Sequence, residues 1–291
     1  MCVGGTPGSD HHHSHVLQEL GDAGASRRGF LKAGAAGALG IGLASVAPAI
    51  PAFAAENRNG RGVVDLTHRL VREFPTFAGP QVIFDEVLST VEDDGFYTKR
   101  WTFDEHIGTH IDSPGHFTLG GTLVDALDPE TLIAPIAVVD ITSKAMDDPN
   151  ATVEPEDLVA YERGNGRIPR GALVCMNSGW ASKVDNADDF RGGTGFPDLN
   201  FPGFSGDATD WLNAKRDIVG IGVDTMSLDP GNSADFAVHV SFLGSGRYGI
   251  ENLANLDRIP AKGALGFVGP IPWEDGSGGP CRVLATVNGN R

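Results

Sequence analysis

The sequence predicts a mixed α/β (α+β) fold in a single layered domain, and three observations carry that prediction. Three short apolar runs, IAVVDI at 136–141, ALVCMN at 172–177 and IVGIGV at 218–223, are bounded by turn-forming residues, as strands buried on both faces should be. Helical patterns lie between them, at 155–163 and 205–215, so strands and helices alternate after an all-strand opening. The 40 glycines and 18 prolines imply many turns, which fits a sheet-rich fold with long loops better than a helical bundle.

Taken in order, residues 1–25 are small and polar. Their His11–His15 run has nothing nearby to build a packed site, so it reads as a disordered tail. From Ser26 the chain carries a twin arginine (Arg27, Arg28), then Phe30, Leu31 and Lys32, a weakly apolar Gly/Ala stretch, and Ala52, Phe53, Ala54. This resembles a Tat export signal with an A-x-A cleavage site. The glycines between Gly29 and Gly42 disfavour a stable membrane helix. The expected organisation is therefore a tail and signal over 1–54, removed on export to the periplasm or the exterior, and one domain over 55–291. The formal net charge is −16, and residues 1–54 balance three acids against three bases, so the mature part keeps the whole excess. Such a surface repels phosphates and anionic lipid, which argues against nucleic acid and membrane as partners.

In the mature part, GVVDLTHRL at 62–70 reads as a strand with Val64, Leu66 and His68 on one face, His68 in a structural role. FPTFAGP at 74–80 is a turn-rich loop offering two aromatics. Alternation over 84–103 suggests a hairpin turning at Glu92–Gly95. Ser205 is placed to N-cap the helix that follows it, with Ala208, Trp211 and Leu212 inward. Residues 238–243 suit a helix or a strand equally, and 264–268 and 282–287 close the chain as strands. Cys175 and Cys281 leave room for one disulfide, though three cysteines make no disulfide framework.

The chemistry concentrates in HIGTHIDSPGHF, residues 106–117. Gly108, Pro114 and Gly115 oppose a helix there, so 106–112 reads as extended chain with His106, His110 and Asp112 on one face over the gap of Gly108. Ile107, Thr109 and Ile111 take the core face. Two imidazoles and a carboxylate converging in this way suit one divalent transition ion. Only five histidines lie outside the polar tail, and three of them fall in this segment. His116, beyond the turn at Pro114, is better placed to move a proton than to add a ligand. Asp224, Ser227 and Asp229, after a buried strand, are candidates to orient ligand imidazoles. A serine nucleophile is disfavoured, since GFSG at 203–206 lacks the GxSxG spacing.

HIGTHIDSPGHF resembles the HxGTHxDxPxHF motif of the cyclase-like metal hydrolases, the family that includes bacterial kynurenine formamidases and isatin hydrolases. DLTH at 65–68, NSGW at 177–180, FPGFS at 201–205, GIGVDTMSLDPG at 220–231 and HVSFLGSGRYGIENLANL at 239–256 extend the resemblance over most of the mature chain. It implies a swivelling β/β/α-type fold, one or two divalent ions (Zn²⁺ or Mn²⁺) held by His106, His110 and Asp112 and completed by His239 and Glu251, His116 as the catalytic histidine, and a dimer or tetramer. Phe77, after Pro75, stands where the formamidases carry a substrate-packing tryptophan. The activity so implied is hydrolysis of a C–N bond in a small aryl or cyclic amide. The alternatives are a lactone or ester hydrolase on the same site and an exported, non-catalytic metal-binding protein.

Overall fold

The computed structural model describes residues 62–77 and 83–287; the tail and the Tat-like segment lie outside the described residues. The chain opens with strand β1 (Gly62–Asp65), then a hairpin of β2 (Phe84–Ser89) and β3 (Thr98–Thr102) joined through the helical turn α1 (Val91–Asp94). Next come β4 (His110–Asp112), β5 (Ile133–Asp140), helix α2 (Thr142–Asp147), β6 (Thr152–Val153), helix α3 (Pro155–Asn165) and β7 (Ala172–Asn177). The second half supplies α4 (Ala187–Arg191), β8 (Gly203–Phe204), α5 (Gly206–Lys215), β9 (Ile218–Val223), β10 (Tyr248–Glu251), β11 (Lys262–Pro270) and β12 (Gly278–Val287).

Eight of these strands form one mixed sheet in the order β1-β12-β11-β5-β7-β9-β10-β4. The expected α/β layering is present, with β5, β7, β9 and β10 running parallel. Both faces of these strands are buried, which is why they read as unbroken apolar runs. Along β5, Ala137 and Val139 face the helices α3 and α5 through Leu158, Tyr161 and Leu212, while Ile136 and Val138 face the other core with Leu173, Ile250 and Val283. The helices are held by their first turns. Ser205 accepts from Ala208 N at 3.1 Å as the N-cap of α5, and Glu154 and Asp157 form a capping box on α3, contacts worth about 1 kcal/mol each.

The sheet also closes on itself. β4 pairs antiparallel with β10 on one side and with the start of β12 on the other. β4 spans only three residues, and β12 pairs with β1 farther along.

Several expectations need correction. The strand read over 106–112 starts only at His110, because Gly108 sits at φ +62° and breaks the extended path. The first strand stops at Asp65, leaving Thr67 a single bridge to Leu253. Residues 238–243, which suited a helix or a strand, are helical, with His239–Leu243 forming a π-helical turn. Cys175 and Cys281 are both free and buried, so the disulfide does not form.

The parallel pairing of β9 with β10 also explains a sequence feature. A Cβ on Gly220 would lie 2.6 Å from the Tyr248 carbonyl oxygen and 2.8 Å from its ring. Gly220→Ala should therefore lower stability by about 1–3 kcal/mol, the usual cost of overpacking a core. Denaturant titration will show this as a lower midpoint at an unchanged slope.

Candidate metal centre

β4 places His110 and Asp112 on the same face, with Ile111 turned into the core. In its register with β10, His110 lies directly opposite Glu251. The π-helical turn brings in His239, and the kink at Gly108 carries His106 back over the strand. Ligand atoms of His106, His110 and Asp112 all lie within 4.8 Å of one another, and so do those of Asp112, His239 and Glu251. The five residues expected to hold metal thus form two clusters sharing Asp112. The two cross-strand and turn contacts are close: His110 Nε2 lies 3.3 Å from Glu251 Oε2, and His239 Nε2 lies 3.2 Å from Glu251 Oε1.

Each imidazole is oriented from behind. His239 Nδ1 donates to Asp229 Oδ2 at 2.6 Å, and the same carboxylate accepts the backbone N–H groups of Val238 and His239. His110 Nδ1 donates to the Gly108 carbonyl at 2.9 Å, which turns Nε2 inward. His106 Nε2 lies 2.9 Å from Ser277 Oγ, whose hydroxyl donates to Glu105. Asp229 therefore fulfils the orienting role expected of it. Asp224 does not: it accepts from Ser178 and Trp180 and ties down the loop after β7. Ser227 lines the cavity in front of the centre and orients no imidazole. Sequence reasoning missed Ser277 and Glu105, because a serine 171 positions from His106 gives no local signal.

The residues fit a divalent ion. His110 Nε2 and Asp112 Oδ2 are buried with no hydrogen-bond partner, an arrangement costly for a lone pair unless a cation meets it. The charge balance agrees. Burial pulls His110 down, but Asp112 and Glu251 outweigh it and raise its pKa to about 10; His239 is likewise raised against burial by Asp112, Asp229 and Glu251. Carboxylates that attract these protons attract a cation that displaces them.

His116 stands apart. Its ring stacks on His106 with centroids 3.7 Å apart. Burial, aided by His106 and His239 and opposed by Asp112 and Glu251, pushes its pKa down to about 4, so it is neutral at pH 7. It faces a cavity of about 280 Å³ whose walls include Phe77, Phe117, Phe236 and Met226. Phe77 lies 6.0 Å from Phe236, and Phe117 5.9 Å from Phe236, so the three rings form one wall. Among the described residues no lysine or arginine lines this cavity.

Comparison with known proteins gives a consistent set. The Cyclase family model matches residues 64–230. Isatin hydrolase of Roseibium aggregatum is 33% identical over 230 residues, covering 73% of this chain and 84% of that protein. Kynurenine formamidase of Bacillus cytotoxicus is 27% identical, covering 76% of this chain and 95% of that protein. Among solved structures, isatin hydrolase A from Ralstonia solanacearum superposes with a TM-score of 0.75 at 34% identity, covering 84% of this chain and 100% of that one. Isatin hydrolase A from Labrenzia aggregata bound to benzyl benzoate gives 0.73 at 31% identity, covering 78% and 94%.

If Asp229 orients His239 as its contacts indicate, Asp229→Ala should weaken divalent-ion affinity about 10- to 100-fold. Competition against a chelator of known affinity measures this directly, and an unchanged affinity would show that His239 needs no such support.

Proposed function

The chain is an enzyme of the Cyclase family, and from that premise we propose that it hydrolyses a C–N bond of a small, neutral aryl or cyclic amide, in the manner of an isatin hydrolase. The observation that carries this reading is the convergence of His106, His110, Asp112, His239 and Glu251 at the floor of an aromatic cavity, with a neutral His116 beside them.

Those five residues would hold the ion, and their mixture of imidazole and carboxylate suits Zn²⁺ or Mn²⁺; with Asp112 common to both clusters, the site accommodates one ion or two. Such an ion supplies Lewis-acid polarisation of a carbonyl and acidification of water. The chain does the rest. Phe77, Phe117 and Phe236 hold the flat substrate and keep bulk water away. His116, free of a proton at neutral pH, accepts one at its imidazole nitrogen from the attacking water and returns it to the leaving nitrogen. Stacking on His106 keeps that ring in place.

The cavity favours the isatin-like amide over the formamide of an amino acid. N-formylkynurenine carries an α-carboxylate and an α-ammonium, and the described lining of the cavity offers no lysine or arginine to pair with the carboxylate. A lactone or ester is the second reading, favoured by the apolar wall, which would take an aryl ester equally well. We further propose that the protein assembles as a dimer or tetramer, since the β2–β3 hairpin exposes Phe84, Phe96, Tyr97 and Trp101, and that residues 1–54 direct its export through the Tat route. Light scattering on the purified protein and N-terminal sequencing of the exported form test these two points.

The hydrolase reading predicts that chelation abolishes isatin turnover and that Zn²⁺ or Mn²⁺ restores it. His116→Ala should lose about 10²- to 10⁴-fold in kcat while keeping its metal content. A fully metallated protein inactive on isatin, N-formylkynurenine, aryl lactones and aryl esters would sink the proposal.

A further inference from the structure

The three imidazoles of the centre are not presented alike. His110 and His239 give Nδ1 to a carbonyl and a carboxylate behind them, which leaves Nε2 for the centre. His106 is turned the other way: its Nδ1 lies 2.6 Å from Asp112 Oδ1, and its Nε2 points outward to Ser277 Oγ at 2.9 Å. The ring is confined by the His116 ring, 3.7 Å away between centroids, and by Gly278, where a Cβ would stand 2.6 Å from His106 Cε1. A half-turn of the ring would set carbon against both polar partners, so the two nitrogens cannot exchange roles.

The ring proton can then be assigned. Glu105 Oε2 accepts the Ser277 hydroxyl at 2.6 Å and the Ser277 backbone N–H at 3.2 Å. A hydroxyl has one proton, so once Ser277 has given it to Glu105 its oxygen can only accept from His106, and the ring proton sits on Nε2. Ser277 is itself held in place, since its carbonyl accepts both the backbone N–H and the hydroxyl of Ser113, next to Asp112. Glu105 thus directs the proton through the serine, from 3.9 Å away from His106 Nε2. In a neutral ring Nδ1 then presents a lone pair to Asp112 Oδ1, an arrangement that calls for a cation. We propose that Ser277 and Glu105 are positioning residues that fix His106 as its Nε2–H tautomer, so that it meets the metal ion through Nδ1 while His110 and His239 use Nε2. The inference rests on the metal-dependent reading of the site and is independent of the bond that is cleaved.

The test loads the ¹⁵N-labelled protein with Zn²⁺ alone and records long-range ¹H–¹⁵N correlations of its histidine rings. His106, assigned by through-bond correlation to its backbone, should show the Nε2–H form with Nδ1 as the metal-bound nitrogen, against Nδ1–H forms for His110 and His239. Ser277→Ala should weaken Zn²⁺ binding about 10- to 100-fold in competition with a chelator and remove the preference of His106 for one tautomer. A wild-type His106 with its proton on Nδ1 overturns the inference, and so does a Ser277→Ala protein that binds Zn²⁺ as tightly as the wild type. Should that variant fail to fold, Glu105→Ala decides in its place, because the Glu105 side chain is 42% exposed and its loss frees the serine proton to turn toward His106. Zn²⁺ affinity should fall there too, and an unchanged affinity and tautomer overturn the inference. A wild type that binds no Zn²⁺ defeats the metal-dependent reading and this inference together. Zn²⁺ held through Nδ1 with no turnover of amide, lactone or ester defeats the hydrolase reading alone.

Discussion

The centre depends on one constraint, the pairing of a three-residue strand with two neighbours at once. β4 is hydrogen-bonded to β10 and to β12, and without it the curved sheet would have an open edge. Closure fixes the register on both sides, so His110 must face Glu251 and Asp112 must face Gly278. A one-residue slip would turn His110 and Asp112 into the core and Ile111 into the cavity, which the buried face at Ile111 forbids. Folding energy and site geometry are therefore the same quantity at this point in the chain.

The same logic extends outward from the ligands. An acidic centre of Asp112, Glu251 and Asp229 in a buried pocket is unfavourable by itself, and the two raised histidines offset it. Three different anchors hold the three imidazoles of the candidate centre: a carboxylate for His239, a backbone carbonyl for His110 and a serine hydroxyl for His106. The carbonyl anchor is itself held by Asn252, so the backbone around Gly108 belongs to the site as much as any ligand does. That accounts for the glycine: φ +62° strains a residue with a Cβ, and Leu70 Cδ1, only 2.8 Å from where one would stand, would have to move.

Much of this was legible in the sequence. The buried parallel strands announced themselves as apolar runs because both their faces are covered, and β7 and β9 have the boundaries read from the pattern. The local half of the site, His106 to His116, was equally plain, since histidines that close together need a reason. Its geometry was misread, however. Period-two alternation put His106, His110 and Asp112 on one strand, whereas a left-handed glycine brings them together. His239 and Glu251 could be named only through family resemblance, because spacing along the chain says nothing about which strands are neighbours in a sheet. Ser277, Glu105 and the tie from Asn252 to Gly108 were not legible at all: each acts through hydrogen bonds whose partners are set by the fold.

Charge then ties the cavity to turnover. On the proposed reading, hydrolysing a neutral amide creates a carboxylate, so the product carries a charge that the substrate lacks. An ion held at Asp112 and Glu251 would attract that carboxylate, and the described walls, which carry no lysine or arginine, would add nothing to its hold. The chain as a whole is strongly acidic at −16, which would repel the anion once it left the cavity. An arginine in the wall would have strengthened binding of substrate and product alike, but it would have strengthened the product's more, and release is the step that such tight binding slows.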